Sequence, residues 1–372
     1  MKNLVFFYPK IEDDGLKKTF ITYLNFFSNK YNIILITSSS NLKISKKFLI
    51  KIKIDYVKSS IFKKINLISN LLCLFKIFKY LDKKTVFFSL DKHSYLLTLK
   101  ILKINFNLIL RIPNPIMTKK VTRNSFFSNY AGNFIGNLDL SLSKYADKVI
   151  VYSKQNFNFI KKKYSLKNQV LIRNFFEKKK IIRKKKIRKF YNIFFIGRLE
   201  VNKDPFFFLN SLNKIKNFKI NIHIVGEGSE KKRLLKLKNK HNKNNIKIYG
   251  HINNPFKKFN KNIDLFCLTS KFDGTPNVLG EAISFKIPCV APKSVGNVNE
   301  LLGNGNFGNI YEPEDEKSFI AVVTKALKNY NQSINKAKLA YKNLELYNKK
   351  NTLEKLNKSL INLTCKKIKS TN

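Results

Sequence analysis

The chain has 372 residues, 44% of them hydrophobic and 13% aromatic, which suits two domains of ordinary size and excludes a disordered chain. Four cysteines, Cys73, Cys267, Cys289 and Cys365, lie far apart with no CxxC pair, which argues against a zinc ribbon or a disulfide scaffold and for a reducing compartment. Lys and Arg number 73 against 23 Asp and Glu, a formal net charge of +50 that attracts nucleic acid, anionic lipid or phosphorylated ligands, although a chain so rich in Lys, Asn, Ile and Phe also bears the mark of AT-rich codons.

The start, MKNLVFFYPKIEDD, has a short apolar run followed at once by acids, unlike a secretory leader. Strand-length apolar runs then alternate with helical patterns. Strands are expected at 4–8, 32–37, 50–57, 85–89, 107–111 and 148–152, with helices near 17–29, 61–81, 95–103 and 135–145. The run 65–81 is the most apolar stretch, but Lys76 and Lys79 interrupt it, so no membrane span is expected. Residues 177–189, EKKKIIRKKKIRK, carry dense like charge and read as a linker or exposed edge. A second alternation follows, with strands at 191–196, 219–225, 246–249, 263–268, 288–291 and 309–311. Its helices fall near 205–216, 230–240, 278–285 and 314–329, and the tail from Lys336 is helical and charged. The fold class is α/β, two Rossmann-like doubly wound domains facing across a cleft, in which ligands bind beyond the carboxyl ends of the strands. The expected division is a first domain at 1–174, a basic linker at 175–190, a second domain at 191–345, and a helix at 346–372 packing back on the first domain.

Three segments of the second half carry chemistry. In FIGRLEVNKDP (195–205) a strand ends at Gly197 and Arg198, and a helix starts after Asp204 and Pro205; Asp204 suits a cap and Pro205 a first turn. Arg198 and Lys203 flank that helix start, where two cations make a phosphate site, unless they are merely solvated. IHIVGEGSE (222–230) has an incomplete GxGxxG, since Lys231 stands where the third glycine belongs, and a tight turn with Ser229 capping the next helix is the plainer reading. In TSKFDGTPNVLGEA (269–282), Asp273 and Glu281 frame a Gly-Pro loop with seven residues between them. The amides around Asn277–Leu279 are free at the helix start, where they suit a diphosphate, and Glu281 suits two adjacent sugar hydroxyls; a capped helix with solvated acids is the alternative. His223, His241 and His251 form no metal constellation, and no DxD pair offers a metal-bridged nucleotide site.

These segments, with IYGHINN (248–254) and VNELLGNGNFGNIYEPED (298–315), occur in order and resemble the retaining glycosyltransferases of family 4, which have the GT-B fold. The resemblance implies that Glu281 binds the donor ribose, that Asp273 contacts the donor sugar, and that Arg198 and Lys203 hold the diphosphate without metal. It further implies that Gly274, Thr275, Pro276, Asn277, Val278 and Leu279 form the donor loop. The family usually has Glu where this chain has Asp273, a retraction of about one methylene that bears on donor choice or activity. The first half matches less fully. Gly15 stands where the family often has a Gly-Gly pair, ADKVIVYS (146–153) resembles the last strand of that domain, and LIRN (171–174) resembles the linker entry. The loops SLDKH (89–93) and RIPN (111–114) resemble those that meet sugar or acceptor, which makes His93 a catalytic candidate and Arg111 and Asn114 acceptor-side candidates.

The expected function is transfer of a sugar from a nucleotide-sugar, with UDP favoured over GDP-mannose, to a glycan or lipid-linked acceptor in cell-envelope polysaccharide synthesis (O-antigen, capsule or lipopolysaccharide). No cofactor or metal is expected and no specific nucleic acid. The expected location is cytoplasmic, peripheral at the inner face of the cytoplasmic membrane, where 61–81 would lie on anionic lipid with Lys63, Lys64, Lys76 and Lys79 reaching phosphates. The alternatives are a relative with weakened catalysis and a basic anion- or nucleic-acid-binding protein, for which no RNP, KH or zinc-finger pattern speaks.

Overall fold

The computed structural model describes residues 2–9, 11, 15–38, 52–56, 66–82, 84–90, 93–112, 138, 140–181, 189–240, 245–271, 273, 276–293 and 297–366. Asn114, Gly274, Thr275, Lys63, Lys64 and His241 lie outside these, as do 182–188 of the basic run.

In the first half, β1 (Asn3–Phe7) leads to α1 (Gly15–Phe27), β2 (Asn32–Thr37), β3 (Ile52–Tyr56), α2 (Asn66–Phe78), β4 (Val86–Ser89), α3 (His93–Ile101), β5 (Asn107–Arg111), β6 (Lys148–Val151), α4 (Lys154–Tyr164) and β7 (Gln169–Leu171). The second half runs β8 (Tyr191–Ile196), α5 (Pro205–Asn213), β9 (Ile220–Val225), α6 (Lys231–Lys240), β10 (Asn245–Ile248), α7 (Pro255–Phe259), β11 (Leu265–Cys267), α8 (Asn277–Ser284), β12 (Cys289–Pro292), α9 (Asn297–Leu301), β13 (Asn309–Tyr311), α10 (Glu316–Lys328), α11 (Tyr330–Asn343) and α12 (Lys349–Lys366).

The first sheet has the order β3-β2-β1-β4-β5-β6-β7 and the second β10-β9-β8-β11-β12-β13, and every pairing is parallel. Each reverses direction of growth beside its first strand, the doubly wound arrangement, so each has a crevice at the carboxyl ends of its strands. Strands buried on both faces read as continuous apolar runs. β1 shows this: Leu4 and Phe6 pack on one side of the sheet with Phe20, Tyr23 and Phe88, while Val5 and Phe7 pack on the other with Ile77, Phe87 and Leu96.

Four elements were not legible in the sequence pattern: β7, α4, α7 and α9. α4 is capped by Ser153, whose Oγ accepts from the Asn156 amide at 3.1 Å. The segment read as a solvated linker is partly internal. Phe175 packs against the first core, while Phe176 is buried and Ile181 half-buried in the second. α12 returns to the first sheet, where Leu353, Leu356, Leu360 and Leu363 join the core of Leu4 and Phe6.

Candidate active site

The loops at the carboxyl ends of β8, β9 and β11 interlock. After β8, the chain makes a short 3-10 turn at Val201–Lys203 and enters α5 at Asp204, which sits at φ 46° and accepts from the Phe207 amide at 3.1 Å. Thr269, after β11, donates its hydroxyl to the carbonyls of Lys203 and Asp204 at 3.0 and 3.1 Å. The Lys271 amide donates to the Asn202 carbonyl at 3.0 Å. The GEG segment after β9 lies against the β8 loop. The Leu199 amide donates to the Glu227 carbonyl at 2.8 Å, and a Cβ on Gly226 or Gly228 would come closer than 3.0 Å to the Gly197 or Leu199 carbonyl oxygen. These two glycines therefore serve close backbone approach.

The two acids that frame the Gly-Pro loop each meet a lysine. Asp273 forms an ion pair with Lys203, both largely shielded from solvent. The two groups expected to meet the donor sugar and its diphosphate are thus in contact, and Ser270 Oγ donates to the same carboxylate at 3.5 Å. Glu281, in α8, pairs across the cleft with Lys18 of α1 at 3.3 Å, a wetter contact with the lysine 72% exposed. Arg198 is exposed and pairs with Glu200 at 3.0 Å.

Pro276 precedes α8 and is buried. Its carbonyl accepts from the Leu279 amide at 3.0 Å, so of the three amides expected to be free Leu279's is engaged, and its side chain is core. Asn277 and Val278 remain as the amides that helix geometry leaves outside the ladder. Asn277 Oδ1 accepts from Asn174 Nδ2 at 2.8 Å.

On the opposite side, Gly15 is the first residue of α1 and His93 the first of α3. His93 is buried with Nδ1 2.8 Å from Ser89 Oγ, at the carboxyl end of β4. Arg111, at the end of β5, is also buried, with its guanidinium carbon 4.3 Å from the Tyr152 ring centroid. The units meet again at Glu300 in α9, which binds the Arg173 guanidinium at 2.5 Å and accepts from the Lys154 amide at 3.2 Å. Every one of these contacts joins segments that follow carboxyl ends of strands, so the two crevices face each other.

His223, in β9, is structural. Its ring stacks on Phe194 at 4.3 Å and bonds the Tyr249 hydroxyl at 2.9 Å, and burial, helped by the Lys247 charge, pushes its pKa down to about 4. Sequence reasoning missed Lys18, Phe176 and Glu300 as participants in the contact between the units.

Residues 177–343 match the family described as Glycosyl transferases group 1. An uncharacterized glycosyltransferase of Methanocaldococcus jannaschii is 32% identical over 174 residues, 43% of each chain. The N-acetylgalactosamine-N,N'-diacetylbacillosaminyl-diphospho-undecaprenol 4-alpha-N-acetylgalactosaminyltransferase of Campylobacter jejuni is 29% identical, over 40% of this chain and 39% of that one. The chain thus aligns with less than half the length of these two curated relatives. The crystal structure of Anabaena HepE in complex with UDP-glucose superposes with a TM-score of 0.75 at 14% identity, covering 97% of this chain and all of that one. The fold is GT-B across nearly the whole chain, and the match to the group 1 glycosyltransferase family is confined to residues 177–343.

Proposed function

We propose that this chain, with its group 1 region carried on a GT-B scaffold, is a retaining glycosyltransferase of family 4 that takes a nucleotide-sugar, UDP-sugar before GDP-mannose, as donor. The observation that carries this reading is the Lys203–Asp273 ion pair between the loops that follow β8 and β11, which lock together at the carboxyl ends of those strands, with Glu281 on the helix that follows the second loop. Glu281 holds the ribose hydroxyls. Arg198 and Lys203, with the start of α8, neutralise the diphosphate without metal or other cofactor. Asp273 contacts the sugar, and its pairing with Lys203 ties recognition of sugar and diphosphate together. The acceptor attacks from the face the diphosphate leaves, and the departing oxygen draws the acceptor proton; cations fixed beside it stabilise the charge that develops. His93, Arg111 and the loop containing Asn114 would line the acceptor side.

The acceptor class we favour is a lipid-linked saccharide of cell-envelope polysaccharide synthesis, met at the inner face of the cytoplasmic membrane. The Campylobacter relative's name, with its diphospho-undecaprenol, supports this. So does α2, which buries Cys73 and Ile77 yet leaves Leu71, Leu72, Phe75 and Phe78 exposed, with Lys79 beside them. Lys76 is engaged with Asp55 at 2.9 Å, so Lys79, just past the end of this helix, is the better placed of the two lysines to reach lipid phosphate. Among the described residues no helix is long and apolar enough to cross a membrane.

The test is a panel of nucleotide-sugars assayed by release of free nucleotide, with and without EDTA. Turnover of one donor that survives EDTA supports the proposal. No hydrolysis or transfer with any donor would favour a weakened relative, the reading that the shorter Asp273 invites.

A further inference from the structure

Residues 174–181 touch α8 and the turn after it at four successive levels. Asn174 Nδ2 donates to Asn277 Oδ1 at 2.8 Å, at the first residue of the helix. The Phe176 ring lies over Gly280, where a Cβ would come closer than 3.0 Å to three ring carbons. The Lys179 amide donates to the carbonyl of Ser284, the last helical residue, at 3.1 Å. Just beyond it, Lys286 Nζ donates to the Ile181 carbonyl at 3.1 Å. The segment is tied on its other side to the second crossing between the units. The Phe176 amide donates to the Tyr347 carbonyl at 3.0 Å, and the Tyr341 hydroxyl to the Lys179 carbonyl at 3.1 Å. One peptide bond separates Phe175, against the first core, from Phe176, in the second.

α8 has only eight residues, and Pro276 gives it no side-chain cap. Such a helix takes its position from what packs on it. A glycine inside a helix is less favourable than alanine, and here it admits the aromatic ring. The ring presses on the residue next to Glu281, and close-packed elements transmit such a displacement rather than absorb it.

We infer that residues 174–181 are a strap that sets the position of α8, with Asn174 and Phe176 as positioning residues for nucleotide binding at Glu281. Any rotation between the units is then linked to donor affinity. This rests on the donor reading above.

The test is calorimetric titration of the full chain with UDP and, in parallel, GDP, with melting curves for every variant. Gly280→Ala, Phe176→Leu and Asn174→Leu should each weaken binding of the nucleotide that the unmodified chain prefers. The expected loss is about 10- to 100-fold, the scale of a displacement of about 1 Å at a site. The pair Phe176→Leu with Gly280→Ala exchanges ring volume for a methyl and should recover most of the affinity that Gly280→Ala loses, which a merely structural lesion would not do. Should Gly280→Ala fail to fold, the other two single variants read the same quantity. Folded variants that all bind with the affinity of the unmodified chain, or a double variant no better than Gly280→Ala, overturn the strap. An unmodified chain that binds neither nucleotide overturns the donor reading beneath it.

Discussion

At the carboxyl ends of β8, β9 and β11 the loops hold one another through main-chain atoms, whereas the described ends of β4 and β5 in the other unit are furnished by buried side chains. The crevice of the second unit is built around contacts such as Leu199 to Glu227 and Lys271 to Asn202. The facing crevice is furnished by Ser89 with His93 and by Arg111 on Tyr152. A crevice shaped by backbone tolerates most side-chain changes but few at glycine. A crevice shaped by side chains is re-specified by single substitutions. Such a division suits a transferase whose donor chemistry is fixed and whose acceptor varies.

The comparison is sharpened most strongly by a methyl group. Gly226→Ala drives a Cβ into the Gly197 carbonyl and should lower stability by about 3 kcal/mol or more in urea unfolding, the range of severe overpacking. A loss below about 1 kcal/mol would break the claim that backbone approach shapes the donor side.

Acid should separate the two units. His223 has a folded pKa of about 4, well under its ordinary value, because burial disfavours the imidazolium. The unfolded chain therefore binds the proton first. The stability that neutral His223 secures is complete above about pH 6.5 and falls as pH drops towards 4, by up to about 3 kcal/mol. In the first unit, burial pushes the Asp55 carboxyl up, but hydrogen bonds from Lys76 and Tyr80 and the charges of Lys76 and Lys79 outweigh it and hold its pKa below the usual value. Its contribution is present above the ordinary carboxyl value of 3.8 and is lost only below it. Hydrogen exchange at pH 5 should show β8–β10 opening before β1–β3, and His223→Gln should flatten the difference.

Lys203→Met leaves the Asp273 carboxylate half-buried without its ammonium and should cost about 1–2 kcal/mol, discounted from the fully buried case for partial exposure. Donor KM should rise in the same variant. The smallest effect is expected from Ser89→Ala, about 1 kcal/mol for one lost hydrogen bond. It should alter acceptor kinetics while leaving nucleotide affinity unchanged, and a change in nucleotide affinity would show that the two crevices are not independently furnished.

The strands that sequence pattern revealed are those with long apolar runs, such as Asn32–Thr37 and Tyr191–Ile196. β7 was hidden because it is three residues long, and α4 because only Asn156 and Ile160 of its eleven residues are buried, too few to make a period. α9, with five residues, is below the length at which periodicity speaks. The segment framed by Asp273 and Glu281 stood out in the sequence because Asp, Gly and Pro have restricted uses and acids are scarce. The contacts between units were not, since Phe176 is one of 33 phenylalanines and Lys18 one of 73 basic residues, and nothing in composition marks which of them meets a distant partner. Gly280 carried a signal that went unread, a glycine in a helix without a turn to explain it.

The return of α12 to the first sheet gives the molecule a particular order of assembly. Leu356 and Leu360 complete the wall over Leu4 and Phe6, so β1 shares its core with α12, a helix that follows the whole second unit in sequence. The second unit, contained between them in sequence, can close on its own residues as they emerge, while the first holds an open apolar face until α12 has been made. Exposed faces of that kind are where newly made chains associate wrongly. For this chain the vulnerable interval lasts until α12 has been made, and a ribosome halted before Leu353 would present a finished second unit attached to an unfinished first one.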